Sequence, residues 1–302
     1  MTMTLLVGTT NTDGTGSAEN LTIDNATQVI EGAGVSHGVW GVDLESLIGT
    51  PYSPDEKLID ASLVSWNKHG YKEVKVEGNV DSIYLSNFVD VHVAVNNDSG
   101  TSMFIENAKR GHIETGSGDD LIGLFVQSNN NIWSNHFTID TGAGNDEIYL
   151  WDTEGSHRTS LNINAGNGDD LVDITGLQNA DQGVTRVIDG GEGLDVFVHG
   201  GDASVDFKNF EVIQSSYGEH VELTFDDLNK NGNTEHGLVI DAASFHVEGT
   251  GYMEEGTLSH SDKAYLRELG YASEDFVKIW VFDDYLMPDE VHAVLTYDID
   301  AF

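Results

Sequence analysis

Apolar and polar residues alternate with a period of two through much of the middle of this chain. Val74-Lys-Val76, Ile83-Tyr-Leu85, Val91-His-Val-Ala-Val95 and Val205-Asp-Phe-Lys-Asn-Phe-Glu-Val-Ile213 all follow it. This is the pattern of short strands with one buried face. Later text differs. Ser259-His-Ser-Asp262 precedes Lys263-Ala-Tyr-Leu-Arg-Glu-Leu269, and Gly270 follows it, which predicts a helix with a capping serine and a glycine stop. Val277-Lys-Ile-Trp-Val-Phe282 and Val291-His-Ala-Val-Leu-Thr-Tyr297 read as two further strands. Residues 1–35 are rich in Thr, Asn and Gly, as in an irregular or short-stranded cap, and residues 40–72 hold the only helix-compatible text of the first half.

Between the alternating stretches one turn recurs four times: Thr115-Gly-Ser-Gly-Asp-Asp-Leu-Ile-Gly123, Thr141-Gly-Ala-Gly-Asn-Asp-Glu-Ile-Tyr149, Ala165-Gly-Asn-Gly-Asp-Asp-Leu-Val-Asp173 and Gly190-Gly-Glu-Gly-Leu-Asp-Val-Phe-Val198. Its aspartates, Asp120, Asp146, Asp170 and Asp195, are 26, 24 and 25 residues apart. Such spacing predicts one repeat per coil of a parallel solenoid, each coil having room for three short faces. Each Asp then stacks on the one before. Carboxylates about 4.8 Å apart repel by about 3 kcal/mol at an effective dielectric of 20. A calcium ion, bonded to oxygen at about 2.3–2.6 Å, fits such a gap, and four turns give three gaps. The glycine pairs Gly116/Gly118, Gly142/Gly144, Gly166/Gly168 and Gly191/Gly193 are expected to aim backbone carbonyls at the ion, which needs backbone angles that a Cβ disfavours.

These residues resemble the repeats-in-toxin, or haemolysin-type, calcium-binding nonapeptide GGxGxDxUx, in which U is large and apolar. The resemblance implies a right-handed parallel β-solenoid and Ca2+ as the bound cofactor. Its site residues would be the four aspartates with Thr115, Gly116, Ser117 and Gly118, then Thr141, Gly142, Ala143 and Gly144, then Ala165, Gly166, Asn167 and Gly168, and finally Gly190, Gly191, Glu192 and Gly193. The first glycine is replaced by Thr115, Thr141 and Ala165, and the coil is longer than the family's. One row of ions is therefore expected rather than two. Worn copies surround Gly78-Asn-Val-Asp81 and Asp98-Ser-Gly-Thr-Ser102, the second with Ser in the ligand place.

Composition sharpens this picture. The 302 residues hold 52 acidic and 13 basic side chains, a formal charge of −39, with 34 Gly, three Pro and no Cys. Such a charge repels nucleic acid and anionic membranes and opposes compaction until cations arrive. No apolar run is long enough to span a bilayer, and Met1–Thr10 lacks the basic and apolar parts of a cleaved signal. Without cysteine, calcium is the cross-link open to an exported protein. The ending Tyr297-Asp-Ile-Asp-Ala-Phe302 resembles the uncleaved signal of type I secretion substrates. A bacterial, secreted protein touching polysaccharide or a cell surface is the expectation.

Other candidates are local. Asp227-Leu-Asn-Lys-Asn-Gly-Asn-Thr-Glu235 resembles an EF-hand or dockerin-type loop through Asp227, Asn229, Asn231 and Glu235, though Leu238 stands where a closing carboxylate belongs. Trp133, Tyr149 and Trp151 could stack on sugars or simply pack between coils. Twelve histidines are scattered without metal-site spacing, and no nucleophile elbow or phosphate loop occurs. A polysaccharide lyase or epimerase on a β-helix is the alternative. Ice binding is disfavoured by the irregular series Ser117, Ala143, Asn167, Glu192. The expected organisation is a cap over 1–73, the solenoid over 74–214 and an α+β unit over 215–302.

Overall fold

The computed structural model describes residues 6–7, 58–60, 73–78, 82–86, 90–126, 135–152, 158–177, 180–200, 205–215, 220–232, 235–248, 250–283 and 291–297. Two long sheets, of eight and 12 strands, take successive strands of the chain alternately. Each coil is thus one strand in each sheet plus two turns. Asn135–Asp140 pairs in parallel with Arg110–Glu114 and Thr159–Asn167 in the first sheet, and Glu147–Asp152 pairs with Leu121–Val126 and Leu171–Gly176 in the second. Through the four repeats the described strands of each coil lie in two faces rather than the three allowed for above. Among the described residues a further face appears only past residue 215, where His220–Thr224 pairs in parallel with Ser244–Glu248, 24 residues on.

Alternation explains the core. In the second sheet Met103, Ile122, Ile148, Val172, Phe197, Ile213 and Ile240 lie in register, one per coil, and are fully buried. Val93, Ile113, Ile139, Ile163, Ile188 and Phe207 face them from the first sheet. Each such side chain contributes about 1.5–3 kcal/mol by leaving water. Gly111 makes room for Phe137, whose ring a Cβ there would meet at 2.6 Å.

Past residue 214 the second sheet does not break, because the expected boundary falls inside the strand Val212–Ser215. Leu238–Asp241 adds in parallel, Val291–Tyr297 adds beyond it, and Phe276–Asp283 and Thr250–Gly256 close the sheet antiparallel. The C-terminal α+β unit is therefore a cap grown on the solenoid's own sheet. Among the described residues its α-helices are α1 (Phe225–Lys230) and α2 (His260–Glu268). Helix α2 starts where the sequence places it. The Ser259 hydroxyl accepts the Asp262 N–H, the Asp262 carboxylate accepts the Ser259 N–H, and Gly270 follows at φ +87°. Tyr265 and Leu266 lay this helix on Val212, Val239, Phe276 and Leu295, outside the sheet.

At the other end Leu6–Val7 and Leu58–Asp60 extend the two sheets. The remainder of the expected cap, including nearly all the helix-compatible text of 40–72, lies outside the described residues. Among those described, no helix is long and apolar enough to cross a membrane.

Candidate functional site

Each repeat forms the corner between a first-sheet strand and a second-sheet strand, and the corners stack. Both glycines of every copy have positive φ, from +87° at Gly142 to +150° at Gly193. The stack itself demands them. A Cβ on Gly142 would meet the Gly116 carbonyl oxygen at 2.1 Å, and one on Gly168 would meet that of Gly144 at 1.8 Å.

Several of the corner carbonyls join neighbouring coils. Gly116 O accepts the Ala143 N–H at 2.8 Å and Gly142 O accepts the Asn167 N–H at 2.9 Å. In return Ala143 O accepts the Gly118 N–H and Asn167 O the Gly144 N–H. The Gly-x-Gly corner is thus a narrow parallel ladder of its own, with bridges Ser117 to Ala143 and Ala143 to Asn167. At the first repeat position the Thr115 hydroxyl donates to Thr141 O, and the Thr141 hydroxyl donates to Ala165 O at 2.6 Å. Threonine at the first repeat position therefore adds a rung-to-rung bond.

Inside this corner runs a column of carboxylates. Asp120 Oδ1 accepts the Thr101 N–H, Asp146 Oδ1 the Asp120 N–H at 2.7 Å, Asp170 Oδ1 the Asp146 N–H at 2.8 Å, and Asp195 Oδ1 the Asp170 N–H at 2.9 Å. Glu211 Oε2 accepts the Asp195 N–H at 2.8 Å and continues the series. All four aspartates are at most 2 % exposed. Their second oxygens, Oδ2 of Asp120, Asp146, Asp170 and Asp195, are buried without a hydrogen-bond partner. The Thr115 hydroxyl faces Asp120 but gives its proton to Thr141 O.

Burial is the main force on these groups. It lifts the carboxyl of Asp146 to about 7, of Asp170 to about 6 and of Asp195 to about 7, against the lowering effect of the N–H each accepts and, at Asp146, of the nearby Thr141 hydroxyl. Neighbouring carboxylates push in the same direction as burial. Asp120 and Glu211 are raised for the same leading reason.

A second, exposed ladder runs beside the first and escaped the sequence reading. Asp119 Oδ1 accepts the Asn145 N–H, Asn145 Oδ1 the Asp169 N–H, and Asp169 Oδ1 the Leu194 N–H, at 2.8–3.0 Å. These bonds reach to the next coil, whereas the buried column reaches to the preceding one. The signal was present in the pairs Asp119-Asp120, Asn145-Asp146 and Asp169-Asp170. Glu211 was legible too, since it precedes Val212-Ile213 as Asp195 precedes Val196-Phe197. In the worn copy before the first clear repeat, Thr101, not Ser102, holds the Asp place, because Ser102 pairs with Leu121.

The acidic stretch after the solenoid begins as a helix. Residues 225–230 are helical, and Asp227 closes a capping box with Thr224. Asn231 accepts the Phe210 N–H and donates to Phe207 O and Asp227 O. These two side chains serve helix ends, while Asn229 and Glu235 line a nearby cavity. Tyr149 and Trp151 stack on each other at 5.4 Å, and Phe125 stacks on Trp151 at 4.8 Å. Their faces are turned to one another. Trp133 lies outside the described residues.

What could the column hold? Among the described residues no three His, Cys, Asp or Glu side chains converge as a metal site. An ion between coils would take one carboxylate from each side and complete its shell with carbonyls and water, as calcium tolerates. The orphaned Oδ2 atoms fit such an ion. No family model matches the chain, and neither a curated protein nor a solved structure does. Fold and site together define a parallel β-solenoid with a buried column of acids.

Proposed function

We propose that this chain is an exported, structural β-solenoid whose coils are locked together by calcium. One observation carries the reading: four consecutive coils each bury a carboxylate oxygen that has no partner. A buried unpaired charge is costly, and divalent cations with oxygen preference relieve it. Asp120, Asp146, Asp170 and Asp195 would hold the ions pairwise, with carbonyls drawn from residues 115–118, 141–144, 165–168 and 190–193. When bound, calcium supplies charge compensation and a cross-link between coils. The chain's own part is to bury the acids, fix each Oδ1 on a backbone N–H and keep the corner free of Cβ atoms.

Folding would then be coupled to export. In low calcium the acids oppose closure of the stack, and millimolar calcium outside the cell favours it. The role is structural or adhesive, at a cell surface or in a polysaccharide matrix. Thermal melts in EDTA and in millimolar calcium test this, with an expected rise of about 5–10 °C on adding calcium. A melting temperature indifferent to calcium would sink it.

A further inference from the structure

One coil beyond Glu211, where the acid column ends, a cavity of about 440 Å³ opens beside the C-terminal cap. Its walls come from two sources. Helix α1 contributes Asn229, the segment after it Glu235, and the closing strands Lys278, Trp280 and His292. Its volume is within the range of sites for small ligands.

Trp280 is held as a platform. It shares a face of its strand with Lys278, whose ammonium lies over the indole at 4.8 Å from the ring centre. The indole leans across Gly256 on the neighbouring strand, where a Cβ would meet its Nε1 at 2.5 Å. Glycine here keeps the ring in place. The Lys278 charge is matched within the protein, since its ammonium donates to Asp262 at 3.1 Å. Asp262 in turn bonds the His236 ring at 3.0 Å, and that ring stacks on Tyr265 at 4.5 Å. The lysine therefore anchors the indole and is already neutralised before any ligand arrives.

We infer that this cavity binds a neutral pyranose unit of a polysaccharide. A pyranose offers an apolar face of C–H groups and a rim of hydroxyls. The Trp280 ring suits the face, and the Asn229 amide, Glu235 carboxylate and His292 imidazole suit the rim. An anionic sugar is disfavoured by a chain of formal charge −39 and by the carboxylate in the cavity wall. The site takes no residue from the acid column, so it stands or falls separately from the calcium reading.

Saturation-transfer NMR and calorimetry on the full chain in calcium buffer provide the test, using glucose, galactose, mannose, N-acetylglucosamine and galacturonate. At least one neutral sugar is expected to bind in the millimolar range or tighter, and galacturonate about fivefold more weakly or not at all. Trp280→Ala should weaken binding by about tenfold or more. Asn229→Ala, at an exposed position, should weaken it by about threefold with an unchanged melt, and decides the matter if Trp280→Ala does not fold. Absence of binding by every neutral sugar overturns the inference. So does full binding by a folded Trp280→Ala or by Asn229→Ala, or a preference for galacturonate.

Discussion

Asp146 occupies the centre of the column, with Asp120 on one side and Asp170 on the other. Replacing it by alanine strips the Asp120 N–H of its acceptor in a buried place, which costs about 1–3 kcal/mol. Asp170→Ala should cost the same, while Asp119→Ala, on the exposed ladder, should stay under about 1 kcal/mol. Asparagine separates bond from charge. Asp146→Asn keeps an oxygen for the Asp120 N–H and removes the ionisation that burial opposes. In EDTA at pH 8 it should melt higher than the parent, and in calcium it should gain less from the ion. Chemical denaturation of the four variants, with and without calcium, checks all of this; a destabilised Asp146→Asn in EDTA would contradict the charge argument. Gly142→Ala belongs here as well. Its φ of +87° and the Gly116 oxygen 2.1 Å from the added Cβ should together cost about 3 kcal/mol or more, read as a fall in the urea midpoint.

The elements differ in how much of them could be read in advance. Helix α2 was legible because its signals are local: a serine, an acid three residues on, a glycine behind. The strands of the solenoid were legible because one buried face imposes a period of two. The number of faces was not, since strand alternation says nothing about how a coil bends between strands. Val205–Ile213 read as one strand, yet Asn209, at φ +60°, turns a corner inside it. Asparagine is among the few residues that accept this conformation. The aspartates were found from the repeated glycine turn and its spacing, whereas their burial and the N–H each accepts depend on neighbours a coil away. Asp262 shows the same limit. Burial would raise its carboxyl, but hydrogen bonds from Ser259, His236 and Lys278 prevail and hold it at about 2. Asp262→Asn would leave the buried Lys278 charge without its partner and should cost about 3–5 kcal/mol by thermal melt.

Across the whole molecule these carboxyls set opposite slopes against pH. The column acids have folded values raised above the ordinary 3.8, so their contribution is complete below about pH 4 and is lost as pH climbs through 6 and 7. Asp262 has a lowered value, so its contribution is present above about pH 4 and fades as pH falls toward 2. Without calcium, stability should peak near pH 4–5 and decline toward pH 8, followed by calorimetry across that range. Calcium should flatten the alkaline side. A calcium-free protein equally stable at pH 5 and pH 8 would show that the column does not carry unpaired charge.

The Asp-to-N–H bond is the same at each junction among the four repeats, and that sameness makes this part of the molecule countable. Thr141 to Asn164 is one full period: Asn164 lies 24 residues after its register partner Asp140. Excising that period would join Asp140 to Ala165 with the strand pairing and the acid column both kept in phase. Such a shortened protein should fold, and calorimetric titration should count two calcium ions where the parent counts three. Length in this architecture is a quantity that gene duplication or loss can change by whole steps, as links are added to or taken from a chain.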